Sequence, residues 1–155
     1  MQQNQSVTVE WLILADAAEV VGGKLYLMGG GWTALTVNNQ FPHRRSAGVA
    51  VAFRIPWHET NKRHEFEIEF ATEDGRVIGK ANGGFEVGRP PGIPQGTDQF
   101  VQMALGANVE FPTPGGFSVT ASVGGSPSRV FPFRVVAGRA PTGDGPSPLG
   151  SGPPS

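Results

Sequence analysis

The stretch from Trp57 to Glu69 carries the densest chemistry in the sequence: Trp57, His58, Glu59 and His64, then Glu65, Glu67 and Glu69. A helical zinc-protease site sets two histidines four residues apart around a Glu, so that both imidazoles leave one helix face. Here His58 and His64 are six apart and flank a polar connection. That spacing predicts two exposed loop histidines and no metal site. Glutamates two residues apart on a strand form one row, about 7 Å from one to the next. The row reads as a solvated face, paired across strands with Arg54 or Lys80. Trp57 is either a loop platform for a sugar ring or protein surface, or a cap on the core.

Phe41-Pro-His43-Arg44-Arg45 concentrates an aromatic ring, an imidazole and two guanidinium groups, an alternative site of anion-binding type. Val21-Gly-Gly-Lys24 has the glycines and lysine of a phosphate loop but not its frame. The P-loop needs another glycine five positions before Gly23 and Ser or Thr after the lysine, opening a helix. Ala18 and Leu25 occupy those positions, and a strand pattern follows. No Gly-x-Ser-x-Gly elbow is present. The expectation is a chain without catalytic residues, bound metal or cofactor.

Composition bounds the rest. At 155 residues the chain is the size of one domain. Only 16% of residues are charged, and 23 Gly with 14 Pro make up almost a quarter. Net charge is −1, which gives no general attraction to nucleic acid or an anionic membrane. No cysteine is present, so disulfides, thiol chemistry and Cys-based zinc sites are excluded. The apolar run Trp11 to Ala15 is cut by Asp16, and no basic region precedes it. This fits neither a signal peptide nor a membrane span, and cytoplasmic residence is expected.

The elements that must position these residues read as strands. Lys24 to Val37, strand-like on both sides of Gly29-Gly-Gly31, is expected to be a central strand that kinks from one sheet to another, with Trp32 packed where glycine leaves room. Val7 to Leu14 is a first strand. Ala15 to Val21 is expected to form one or two helical turns, with Asp16 and Glu19 as a capping box. Asn38 to Ser46 is read as a loop. Ala47 to Ile55 turns Val49, Val51, Phe53 and Ile55 inward, and its outward Gly48, Ala50 and Ala52 are unusually small.

His64 to Thr72 alternates Phe66, Ile68 and Phe70 with the three glutamates, the pattern of a strand with one wet face. Asp74-Gly75 signals a hairpin. Strands follow at Arg76 to Val87, Gln99 to Phe111, Phe117 to Val123 and Arg129 to Ala137; Pro132 places the last at an edge or a bulge. Thirteen of the 18 residues from Gly138 on are Gly, Pro or Ser, a composition unable to offset its own ordering entropy. The expected fold is all-β: an antiparallel β-sandwich of about eight strands over residues 1–137, with a disordered tail at 138–155.

The block Leu12-Ile-Leu-Ala-Asp-Ala-Ala-Glu-Val-Val-Gly-Gly-Lys-Leu-Tyr-Leu-Met-Gly-Gly-Gly-Trp32, with Gly116-Phe-Ser-Val-Thr-Ala-Ser-Val-Gly-Gly125 and Phe131-Pro-Phe-Arg-Val135 as a closing hairpin, resembles an uncharacterised family of small bacterial proteins, a domain of unknown function. The resemblance covers about residues 6–137. It implies a β-sandwich and no particular activity, and it assigns no residue a role.

The function expected from all this is a non-enzymatic protein-interaction or accessory module, whose partner is another protein or a second copy of the chain. The alternative is a carbohydrate-type ligand binder built on the loops around Trp57. Alternating strands would gather the 15–23, 57–63, 88–98 and 124–128 connections at one end. The expected site is therefore Trp57, His58, Glu59, Asp16 and Asp98, on loops carried by a rigid sandwich. Phe41, His43, Arg44 and Arg45 are the alternative.

Overall fold

In a computed structural model, described over residues 6–38, 40–124 and 129–138, the chain forms two β-sheets packed face to face. The strands are β1 (Thr8–Val21), β2 (Lys24–Gly30), β3 (Ala34–Val37), β4 (His43–Ile55), β5 (Arg63–Thr72), β6 (Val77–Glu86), β7 (Gln99–Phe111), β8 (Gly115–Val123) and β9 (Arg129–Ala137). One sheet runs β2-β1-β4-β7 and the other β3-β9-β8-β5-β6. All neighbours are antiparallel except β3 and β9. The expected tail beyond Gly138 lies outside the described residues, as do residues 125–128 of the last turn.

Period-two patterning fixes which side of each strand is buried. Phe66, Ile68 and Phe70 lie in the core with Val49, Val51, Phe53 and Ile55 from the opposite sheet. Phe117, Val119, Ala121 and Val123 join them, with Phe133 and Val135. Each such side chain larger than alanine is worth about 1.5–3 kcal/mol when withdrawn from water. Phe53 meets Phe66 at 5.2 Å and Phe85 at 4.8 Å between ring centroids, a contact that ties the sheets together. The Asp74-Gly75 hairpin forms as its sequence predicts, with Gly75 at φ +88°. Arg134 donates its backbone N–H to Thr33 on the β3 side. Pro132, two residues earlier, would aim its missing donor the same way, at a stretch of β9 that β3 does not reach. That position is locally an edge, where proline costs no ladder bond.

Three expectations are corrected. Lys24 to Val37 is not one central strand. It is two edge strands, β2 and β3, in different sheets, so the glycines do carry the chain between sheets. Trp32 follows them and packs edge-on against Phe133 at 5.9 Å. Ala15 to Val21 is not helical. It pairs with β2 from Ala15↔Gly30 to Val21↔Lys24 across a Gly22-Gly23 turn in which both residues have positive φ. A two-residue turn of that kind matches strand twist, and the ladder outweighs weak local helix preference. Finally, the 38–46 loop ends early: His43 to Ser46 already pair with β7.

The far half of β1 does not continue in the plane of its sheet. Beyond Ala15, the last residue paired with β4, it bends so that the Ala17 backbone lies over Gly48. A β-carbon on Gly48 would sit 3.0 Å from Ala17 Cα and C and from Ala18 N. The hairpin then leans back over the outer face of β4 and β7, and Gln102 Nε2 donates to Gly23 O at its tip at 3.5 Å. This accounts for the small residues on that face. Ala50 and Ala52 point away from the core and are nonetheless buried, beneath the hairpin and their neighbours on β1 and β7.

Candidate functional site

The turn after β4 brings one part of the expected site together. Trp57–Glu59 is a single 3-10 turn, and the 88–98 connection packs against it. Arg89 Cζ lies 4.1 Å from the Trp57 ring centroid. Its Nη2 donates to Trp57 O at 2.8 Å and its Nε to Thr60 Oγ1 at 2.6 Å. Thr60 is buried, and its hydroxyl in turn donates to Trp57 O at 2.6 Å. Asn61 N donates to Val87 O at 2.7 Å. A guanidinium stacked on an indole and hydrogen-bonded on two sides joins the two loops. That is the role of Trp57 here, with one ring face already taken.

The acids and histidines are similarly committed. Asp98 accepts from Arg54 at 3.3 Å, and Glu10 binds the same guanidinium at 3.1 Å. The hydrogen bond and charge of Glu10, with Asp98 adding to them, raise the Arg54 pKa further above its ordinary value. Arg54 therefore serves Glu10 and Asp98, not the glutamate row. Glu59 stands 3.7 Å from Lys62, 3.8 Å from His58 and 3.9 Å from His64. His64 is not an exposed loop residue. It lies on β5, donates from Nε2 to Glu59 O at 2.8 Å and faces Phe85 at 5.5 Å.

Asp16 is not part of this end. It holds Arg45 Nη2 at 2.7 Å. Arg45 and Arg54 are nine positions apart on β4, so Asp16 and Asp98 are anchored about 30 Å apart along the strand. The bend of β1, not a loop, decides where Asp16 goes. The alternative anion site also disperses. Adjacent residues on a strand point to opposite faces, so Arg44 reaches Glu110 at 3.7 Å while Arg45 reaches Asp16. His43 sits opposite Phe111 in the ladder.

The glutamate row behaves as a wet face. Lys80 Nζ lies 2.7 Å from Glu67 and 3.6 Å from Glu69. Their hydrogen bond divides the two carboxyls: Glu67 is pulled below its ordinary pKa by Glu69 and Lys80, and Glu69 is pushed above its own by Glu67 and by partial burial. Lys80 is raised, chiefly by its hydrogen bond to Glu67. An open hollow of 540 Å³ beside Thr33, Thr72, Glu73 and Arg134 offers one carboxylate and one guanidinium. No group of three His, Asp or Glu side chains placed to hold a metal occurs among the described residues. No helix among them is long and apolar enough to cross a membrane.

The surface missed in the sequence is the β1–β2 hairpin. Cross-strand pairing puts Ala17, Glu19 and Val21 on one face with Met28, Tyr26 and Lys24. That face looks away from the sandwich. Met28 is 71% exposed, Tyr26 54% and Val21 52%; Phe100, 56% exposed, stands two residues from Gln102 at the hairpin tip. The signal was present in the outward Gly48, Ala50 and Ala52, a floor of small residues that requires a cover, and in apolar side chains on both faces of β2.

Among curated proteins nothing matches. Of the solved structures, a glycoside hydrolase family 2 beta-glucuronidase is similar over 83% of this chain and 10% of its own, at 17% identity and a TM-score of 0.36. Residues 10–136 match the family described as "Family of unknown function (DUF6941)". That match spans both sheets, from β1 to β9, and the chain belongs to this family.

Proposed function

We propose that the chain is a non-enzymatic protein-interaction module that docks through the outward face of the β1–β2 hairpin. The observation that carries this reading is the row Val21, Tyr26 and Met28, with Phe100 beside the tip, exposed on an element that is not needed to close the core. The outer face of the other sheet carries Ser118, Thr120, Ser122, Glu67, Glu69 and Lys80, with Val130 and Val136 exposed singly on β9. Aromatic and methionine side chains are the types that concentrate in protein interfaces, and here Tyr26 and Met28 share their face with Glu19 and Lys24. The carbohydrate reading rested on Trp57 as a stacking platform. Arg89 occupies one face of that ring and Thr60 fixes its backbone, so the sugar site is not favoured. In a cysteine-free chain we place this interaction in the cytoplasm.

Site-specific photo-crosslinking tests it. A photoreactive residue at Met28 in the full chain, expressed in the native host, should capture a discrete protein adduct. The same group at Thr120 on the polar sheet face should not. Equal capture at both positions, or none at Met28, would remove the hairpin as the docking surface.

A further inference from the structure

We propose that Met28 is a modification site: a hydroperoxide converts its thioether to the sulfoxide, and the sulfoxide keeps the hairpin face from docking. The inference rests on the reading of that face as the docking surface and names its regulation.

The chain has no cysteine, so its thioethers are its most readily oxidised side chains, and they belong to Met1, Met28 and Met103. Met1 lies outside the described residues. The fold sets the other two apart. Met103 is on β7, half-buried and packed against the core. Met28 is 71% exposed, more than any other large apolar side chain among the described residues. That exposure is built into the hairpin. Met28 is paired in the ladder with Ala17, whose methyl group is too small to cover a thioether. Gly29, Gly30 and Gly31 follow it and have no side chains to fold over the sulfur. A hydroperoxide therefore reaches the sulfur of Met28 with every strand in place, whereas the core shields Met103.

The step balances without a cofactor. A sulfur lone pair attacks the terminal oxygen of the hydroperoxide, an S–O bond forms and the O–O bond breaks. The second oxygen leaves with the proton of the first, as water or an alcohol. Sulfur gives up two electrons and the peroxide takes them. A sulfoxide reductase with a dithiol reverses the change, returning the thioether with a disulfide and water.

Position gives the change its effect. Met28 stands in one row with Tyr26 and Val21 on the face that looks away from the sandwich. A thioether there is apolar and polarizable, suited to aromatic and aliphatic contacts. The sulfoxide oxygen is a strong acceptor that must give up its water on docking, which weakens binding unless the partner supplies a donor.

The test uses the full-length chain with a photoreactive residue at Val21, on the same face at the other end of the row. Hydrogen peroxide is added until Met28 is partly oxidised and is then removed. Peptide mass spectrometry should find the added oxygen at Met28 before Met103. The mixture is cross-linked in extract of the native host, and sulfoxide at each methionine is compared between captured and free chains. Met28 sulfoxide should be at least about tenfold rarer among captured chains, the discrimination expected when a polar group is buried without a partner. Sulfoxide at Met1 and Met103 should be equally common in both. Sulfoxide reductase with a dithiol should restore capture. Met103 oxidising as fast as Met28 overturns the inference, and so does Met28 sulfoxide equally common in captured and free chains. In either of these cases capture by the untreated chain leaves the docking surface standing. If Val21 captures nothing before peroxide is added, the docking surface falls and its regulation with it.

Discussion

Gly48→Ala is predicted to loosen the hairpin, and its cross-strand partner supplies the control. Gly48 and Gly106 are directly opposed on β4 and β7 and face the same way. A β-carbon on Gly48 would meet three backbone atoms of Ala17 and Ala18 at 3.0 Å, whereas one on Gly106 would meet only Ser46 Oγ at 3.9 Å. Carbon contacts are optimal near 3.5–4.0 Å, so the hairpin must lift by about 0.5–1 Å. Overpacking of that kind costs about 1–3 kcal/mol. Replacing glycine by alanine in an extended segment returns about 0.4–1 kcal/mol through the unfolded chain. The net expectation is a loss of about 1–2 kcal/mol for Gly48→Ala and a gain of up to about 1 kcal/mol for Gly106→Ala. Urea unfolding measures the difference, and amide exchange shows whether residues 16–30 lose protection first. If Gly48→Ala is as stable as Gly106→Ala and the hairpin exchanges as before, β1 does not pass over β4 in the way described.

Further outcomes follow from the core, the wet face and the Trp57 turn. Phe66→Ala removes a buried ring in contact with Phe53 and should cost about 3–5 kcal/mol by denaturant unfolding. Glu67→Ala removes the chief cause of the raised Glu69 pKa and leaves Lys80 to Glu69, so the Glu69 carboxyl, followed by NMR, should titrate at lower pH than in the wild type; an unchanged titration would break the link. The signs in the wild type are opposed. Depressed Glu67 contributes stability that is lost as pH falls through its folded pKa, while raised Glu69 contributes stability present at low pH and lost as pH rises through its folded pKa. Arg89→Ala should uncover Trp57 and raise quenching of its fluorescence by acrylamide, measured with Trp11 and Trp32 replaced by Phe; unchanged quenching would mean that the guanidinium does not cover the ring.

Facing was legible wherever alternation was strict, because burial of one face of a strand depends on side-chain chemistry alone. Phe66, Ile68 and Phe70 against the three glutamates left one register to choose. Ala15 to Val21 misled because Asp16 and Glu19 match a capping pattern, which is a local signal. What decides that segment is its pairing with Lys24–Gly30 and the salt bridge of Asp16 to Arg45, both contacts across sequence. His43 to Ser46 looked like a loop because ladders are made by backbone groups, which polar side chains do not reveal. At the candidate site, two loops that share an end were recognisable from strand alternation, so Trp57 and the 88–98 connection do meet. Their occupation by Arg89 was not, since a stacking partner 32 residues away leaves no periodic trace. The folded-back hairpin left only an indirect mark, in Gly48, Ala50 and Ala52.

The docking face itself is most directly tested by NMR of the labelled full-length chain before and after extract of the native host is added. The Met28 methyl and Tyr26 ring signals, on the outward face of the hairpin, should shift or broaden, and the Thr120 methyl signal should not. Signals that all stay unchanged, or that change equally at Thr120, would contradict docking through that face.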